Sequence, residues 1–300
     1  MADQCLILLT LTGKNCHLCF MHVSARPITK LSLQNHGTLD LVCLGVGSAF
    51  SKALNQTNLF LVKGDTHLLI DCGTLCPHTL YHHYQTRITD LDNFLITHSH
   101  ADHIGGLEEV QLSNRYVTHR KPNIIITKAY EKILWDQSLR GGAEASEGTP
   151  LTFKDFWQII RPKKLKHYNR DVYETNLGAM NLKLFRTKHF PDTTASWRTS
   201  AWSCGVLIDE RILFTSDTRF DPLLLNEFEA KFSPELIFHD CQLFTGGVHT
   251  GIEELATLPA EMKRKIVLIH YGDQWKTFRK FAEQAGFHSW AKQGYRYRFN

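Results

Sequence analysis

The stretch Thr97-His98-Ser99-His100-Ala101-Asp102-His103 constrains this chain more than any other. It follows an apolar run, Leu91–Ile96, that reads as a buried strand, and it precedes Ile104–Val110, which opens a helix. Three imidazoles and a carboxylate are thus crowded into a strand-to-helix turn. Imidazole nitrogen and carboxylate oxygen are borderline ligands that suit zinc. Alternate residues of an extended segment point the same way, so His98 and His100 can grip one ion. Past the turn, Asp102 and His103 face a second position close by. The bland alternative is a polar turn with solvated histidines. It leaves the matching ligands downstream unexplained.

Those ligands recur in one pattern. Ala179–Thr187 is an alternating run that ends at Lys188-His189. Ala201–Ile208 and Arg211–Thr215 read as a hairpin through Asp209-Glu210, running into Ser216-Asp217. Glu235–His239 ends at Asp240, and Lys265–Ile269 ends at His270. Taken singly, His189 or His270 could be a satisfied core histidine. Ligands that all leave the same end of successive strands converge on one edge of a sheet sandwich, and that recurrence favours a metal centre.

The remaining segments fit one large unit. Residues 1–37 read as an N-terminal extension, with Cys5–Thr12 and Cys16–Val23 forming a hairpin through Gly13-Lys14-Asn15. The main domain spans 38–300. Leu39–Val46 reads as a strand running into Gly45-Val46-Gly47-Ser48, where glycine lets backbone approach a ligand and makes Gly47 and Ser48 candidate substrate contacts. Asn58–Lys63 and His67–Ile70 pair through Gly64-Asp65 and end at Asp71-Cys72-Gly73. Helices are expected over Pro77–Gln85, 103–114, Ala129–Leu139 and Trp275–Ala285, and a surface loop over Gly141–Pro150. Arg161–Lys166 is a basic cluster, most simply a solvated face.

A chain of 300 residues with a net charge of +4 and a pI near 8.6 suits a small anionic substrate more than a nucleic-acid coat. The eight cysteines are scattered through apparent strands, which favours reduced thiols and a cytoplasmic protein. Cys16-His17-Leu18-Cys19 could be half a zinc or redox site, but no second pair completes it. No apolar run is long enough to span a membrane, and Met1–Gln4 lacks the basic flank of a signal peptide.

The pattern His-x-His-x-Asp-His at 98–103 resembles the first metal motif of the metallo-β-lactamase superfamily. The resemblance covers residues 38 to 275 and implies an α/β fold, a four-layer αββα sandwich, here with a short N-terminal β extension. It implies two zinc ions per chain. His98, His100 and His189 would hold one, Asp102, His103 and His270 the other, and Asp217 would bridge them. Asp71 would brace the metal loops. Asp217 stands where the antibiotic-cleaving branch has cysteine. Two cations sharing a carboxylate acidify a water and clamp a phosphoryl oxygen, which suits phosphodiester hydrolysis.

The segment Phe238-His239-Asp240-Cys241-Gln242-Leu243-Phe244-Thr245-Gly246-Gly247-Val248-His249-Thr250 resembles the phosphodiesterases related to ribonuclease Z. There a histidine, here His249, gives a proton to the leaving oxygen and an acidic residue, here Asp240, holds it; a plain loop histidine is the alternative. Two departures separate the chain from ribonuclease Z itself. Gly272 and Gln274 replace the serine and arginine expected after His270, and no tRNA-gripping arm is visible. Together with His270-Tyr271-Gly272-Asp273, the segment is more similar to the anti-Pycsar cyclic-nucleotide phosphodiesterases. That resemblance implies a homodimer acting on 3′,5′-cyclic mononucleotides, with Asp102 orienting the attacking water. A tRNA 3′-processing endonuclease and a catalytically silent zinc scaffold are the alternatives.

Overall fold

The computed structural model describes residues 21–300. Most of the hairpin expected over Cys5–Thr12 and Cys16–Val23 therefore lies outside the described residues. Its last three residues form strand β1 (Met21–Val23). It is followed by β2 (Leu39–Gly45), β3 (Asn58–Lys63), β4 (Thr66–Ile70), β5 (Asn93–Leu95), β6 (Asn123–Ile125) and β7 (Gln158–Ile160). A second sheet contains β8 (Lys163–Lys164), β9 (Val172–Leu177), β10 (Met180–Arg186), β11 (Cys204–Ile208), β12 (Ile212–Phe214), β13 (Leu236–Asp240), β14 (Ile266–Ile269) and β15 (Ser289–Trp290). The last strand, β16 (Arg296–Phe299), returns to the first sheet between β1 and β2.

Each sheet has eight strands, ordered β1-β16-β2-β3-β4-β5-β6-β7 and β15-β14-β13-β12-β11-β10-β9-β8. Hairpins, joined in the first sheet by the returning β16, make the antiparallel half of each sheet, and crossovers make the parallel half, β4-β5-β6-β7 and β12-β13-β14-β15. Leu39, Leu41 and Cys43 of β2 join the large core that includes Leu182, Leu184, Val206 and Ile208 of the second sheet. The intervening Val42 and Leu44 join a different core. This two-residue period is what a strand buried on both faces requires.

Helices cover both outer faces. On the first sheet lie α1 (Cys76–Tyr84), α3 (Leu107–Ser113) and α4 (Lys128–Leu134), preceded by the single turn α2 (Ala101–Ile104). Leu80, Tyr84, Val110, Tyr130 and Leu134 bury against Phe60 and Phe94 there. On the second sheet lie α5 (Pro222–Phe232) and α6 (Arg279–Ala285). Phe228 of α5 meets Phe185 with ring centroids 4.5 Å apart. The architecture is the expected four-layer αββα sandwich.

Several details differ from the sequence reading. The helix expected over 103–114 divides at Gly105-Gly106, because the Gly106 amide is diverted to the carbonyl of Cys72 at 2.9 Å. A Cβ at Gly106 would stand 2.7 Å from Cys72 Sγ, so glycine allows this close packing. The loop expected over 141–150 begins as a helical turn, Arg140–Ala143, which buries Ala143. The helix expected from Trp275 starts as a tight turn, Asp273–Phe278, before α6. The basic cluster is partly paired: Arg161 with Glu131, and Lys164 with Asp171. Strand β9 and helix α5 carried readable signals that the sequence reading left unassigned. Asp221 caps α5 by accepting from the Leu224 amide, and Pro222 follows at the first helical position.

Candidate metal centre

The carboxyl ends of β5, β10, β12 and β14 deliver the ligand candidates to one edge of the sandwich. The backbone turns sharply as it leaves the strands, with Asp71, Ser216 and His270 at φ of 62°, 50° and 62°. Three overlapping sets of side chains result among the described residues, the third being Asp217, Asp240, His249 and His270. In the first, His100 Nδ1 lies 3.0 Å from His98 Nε2 and 3.1 Å from His189 Nε2. Asp217 Oδ2 is 3.6 Å from His98 Nε2 and 3.7 Å from His189 Nε2. In the second, His103 Nε2 lies 3.3 Å from both Asp102 Oδ2 and Asp217 Oδ2. His270 Nε2 is 3.4 Å from Asp217 Oδ2 and 3.8 Å from Asp102 Oδ2. A tetrahedral zinc with bonds of about 2.0–2.1 Å holds its ligands about 3.3–3.4 Å apart. The first two sets match that spacing, and one oxygen of Asp217 belongs to both.

Four of the remaining ring nitrogens are already engaged. His103 Nδ1 donates to Asp71 Oδ2 at 2.7 Å. His189 Nδ1 donates to the Val248 carbonyl at 2.8 Å, and His270 Nδ1 lies 3.2 Å from Thr57 Oγ1. Thr97 Oγ1 lies 3.1 Å from His98 Nδ1 and donates to the Asp71 carboxylate. Nε2 of these rings is thereby aimed at the shared space. Nε2 of His103 and of His270 is buried without a hydrogen-bond partner. Such atoms are expensive to bury unless something binds them. The residues present fit two metal ions.

The electrostatics agree. Burial holds His98 and His189 neutral, His189 at about 4, which frees their lone pairs. Burial opposes charge on His103 too, but Asp217, Asp102 and Asp71 outweigh it and raise its pKa well above 6.5. Burial alone would raise the carboxyl of Asp102; His103 and His270 overrule it and hold it at about 2. Binding a cation at the second set therefore displaces a proton from His103.

His249 stands over the first two sets, with ring centroids 5.0 Å from His270 and 5.1 Å from His189. Its side chain is 22% exposed, whereas Asp217 and His103 are sealed. His249 Nδ1 donates to Asp240 Oδ2 at 2.9 Å. Asp240 is buried and also accepts from the Thr218 amide at 3.0 Å. Burial works against the imidazolium, yet Asp240, then Asp217 and Asp102, push its pKa up to about 9. The result is an imidazole whose charged form is favoured and whose side chain is partly open to solvent.

Gly47 and Ser48 lie beside β14, but their amides are committed. Gly47 N–H donates to the Asn55 carbonyl at 2.8 Å and Ser48 N–H to the Tyr271 carbonyl at 3.1 Å. The Gly47 carbonyl accepts from Thr57, which in turn meets His270. This segment supports a ligand side chain and offers no free backbone donor to a phosphate. Thr57, Thr97 and Thr218, the supporting threonines, were not singled out from sequence. Thr97 alone had a signal, its place directly before His98.

A family model described as anti-Pycsar protein Apyc1 matches residues 39–297. The anti-Pycsar protein Apyc1 of Bacillus phage vB_BsuM-Goe3 is 36% identical over 262 residues, covering 82% of this chain and 96% of that protein. That of Paenibacillus sp. (strain J14) is 34% identical over 242 residues, covering 80% and 92%. Among solved structures, the metallo-β-lactamase fold protein YhfI from Bacillus subtilis superposes with a TM-score of 0.64 at 16% identity, covering 87% of this chain and 99% of that one. The short form of human tRNase Z superposes with a TM-score of 0.55 at 19% identity, covering 79% and 94%. With the fold in common and the sequence match running from β2 to β16, the chain belongs to the anti-Pycsar Apyc1 family.

Proposed function

We propose that this chain is a two-zinc phosphodiesterase that opens 3′,5′-cyclic mononucleotides to monophosphates. The observation that carries the reading is the His249–Asp240 pair set over two ligand groups that share Asp217. Family membership supports the choice of a small cyclic nucleotide. Bound at the two sets, metal ions would activate water and draw charge from the phosphoryl oxygens. The protein's own groups do the rest. Asp102 orients the attacking water. His249 Nε2 gives its proton to the departing ribose oxygen, a contribution worth roughly 10²–10⁴-fold. Asp240 keeps that imidazole charged and pointed. Asp71, Thr57 and Val248 fix the ligand rings.

In this reading residues 38–300 form the hydrolase unit and the protein works as a cytoplasmic homodimer. The cysteines at 43, 72, 76, 204 and 241 are buried and unbridged, which supports a reducing compartment, and among the described residues no helix is long and apolar enough to cross a membrane. The tRNA-processing alternative has a shared fold in its favour. The paired basic cluster and the Gly272 and Gln274 positions weigh against it. Product analysis with a panel of cyclic nucleotides beside a 3′-extended tRNA is the test. Ring opening of the cyclic nucleotides is expected; trimming of the RNA with cyclic nucleotides intact overturns the proposal.

A further inference from the structure

Among the described residues, Phe50 and Phe244 are 87% and 66% exposed. A single exposed apolar ring is ordinary, whereas apolar surface gathered at one place marks a binding site. Both stand on loops rooted in the metal centre. Phe50 lies at the tip of the turn 48–51, closed by the Ser51 amide on the Ser48 carbonyl at 3.1 Å. Ser48 donates to Tyr271, directly after the ligand His270. Asp273 clamps the far side of this turn, accepting from the amides of Lys52 at 2.8 Å and Ala53 at 3.2 Å. Phe244 lies on the loop 242–250, whose neck is closed by the Gln242 amide on the Thr250 carbonyl at 2.8 Å. The same loop carries His249, and its Val248 carbonyl orients His189. With His249 and His270 only 5.0 Å apart, the two loops flank the same side of the centre.

We propose that Phe50 and Phe244 form an aromatic platform on which the base of the bound nucleotide stacks. The inference rests on the phosphodiesterase reading above. The metal sets and His249 take the anionic ester, and the ribose is polar. The base is the one part of such a substrate with an aromatic face. Stacking uses that face and not the hydrogen-bonding edge, so purines and pyrimidines are both accepted. A second copy of the chain is the competing occupant of these rings.

The test compares steady-state kinetics on the four common 3′,5′-cyclic nucleotides and on 1-O-methylribose 3′,5′-cyclic phosphate, which has the reacting ester without a base. Phe50→Ala and Phe244→Ala are each expected to raise KM for the nucleotides roughly tenfold, the scale of one stacked base. Neither should alter turnover of the base-free ester, and Phe50→Tyr and Phe244→Tyr should restore wild-type KM. Equal losses on both substrate types, or unchanged KM on nucleotides, overturn the platform while the phosphodiesterase reading stands. A change of molecular size in light scattering accompanying the loss assigns the rings to contacts between copies and also overturns it. A wild-type protein inert on every cyclic ester refutes the underlying reading and the platform together.

Discussion

Asp71→Asn exchanges one oxygen for an amide nitrogen in the layer that supports the ligands. Asp71 accepts from the Thr97 amide at 2.8 Å and from Thr97 Oγ1 at 2.9 and 3.0 Å. Its Oδ2 takes the Nδ1 proton of His103 at 2.7 Å. Asparagine has the same shape and tolerates the left-handed φ of 62° at this position. Its carbonyl oxygen can still serve Thr97. Its amide nitrogen then faces His103 Nδ1–H, donor against donor. The imidazole can relieve the conflict only by placing its proton on Nε2, the atom aimed at the second metal position. A charge-assisted hydrogen bond of about 1.5–3 kcal/mol is lost, and metal affinity at the second set should fall by roughly 10- to 100-fold. The first set, His98, His100 and His189, should keep its ion. Chelator-competition titration with elemental analysis reads both sites, and circular dichroism confirms the fold. A variant that retains two ions with wild-type affinity would refute the tautomer argument.

Asp217→Ala should reduce bound metal from about two ions to one or none, since Oδ2 is common to the first two sets; elemental analysis giving an unchanged stoichiometry removes the bridging role. His249→Ala should lower kcat by roughly 10²–10⁴-fold on cyclic nucleotides yet barely affect bis(p-nitrophenyl) phosphate, whose leaving group needs no proton. Because His249 is raised to about 9, its acid form persists through neutrality and kcat should decline as pH rises through that value. Asp240→Asn removes the leading support for the charge, so the decline should move to lower pH; an unmoved pH profile contradicts the pairing. Gly73→Ala would place a Cβ 2.1 Å from the Asp102 carbonyl and 2.6 Å from Gln56 Oε1. It should lower Tm by an overpacking penalty of roughly 1–3 kcal/mol and deplete metal at the second set, and wild-type values for both would count against that contact.

The candidate ligands were legible because each announces itself chemically at a strand end. His98, His100, Asp102, His103, His189, Asp217 and His270 all converge as their positions implied. The Asp209-Glu210 hairpin was equally readable, and both residues adopt the positive φ, 50° and 58°, of a primed turn. What escaped was long-range. Nothing local in Arg296–Phe299 says that it will lie between β1 and β2. Nothing local in Thr57 says that it will meet a histidine more than two hundred residues later. Gly47 and Ser48 were read as substrate contacts because glycine lets backbone approach a ligand, and the partners that take their amides, Asn55 and Tyr271, are set by tertiary packing. The split at Gly105-Gly106 likewise depends on Cys72, a residue of another element.

The left-handed turns at Asp71, Ser216 and His270 bear on how far this protein can be made more robust. Each non-glycine residue held there stores about 1 kcal/mol or more, least for an aspartate. Among the described residues, six other non-glycine residues adopt positive φ at turns and helix ends elsewhere, but these three lie in segments that lead to the candidate ligands, where hydrogen bonds offset the strain. Ser216→Gly would release part of it, but would also delete the buried 2.9 Å hydrogen bond from Ser216 Oγ to Thr97 Oγ1. It would also loosen the residue next to Asp217, whose oxygen both metal positions share.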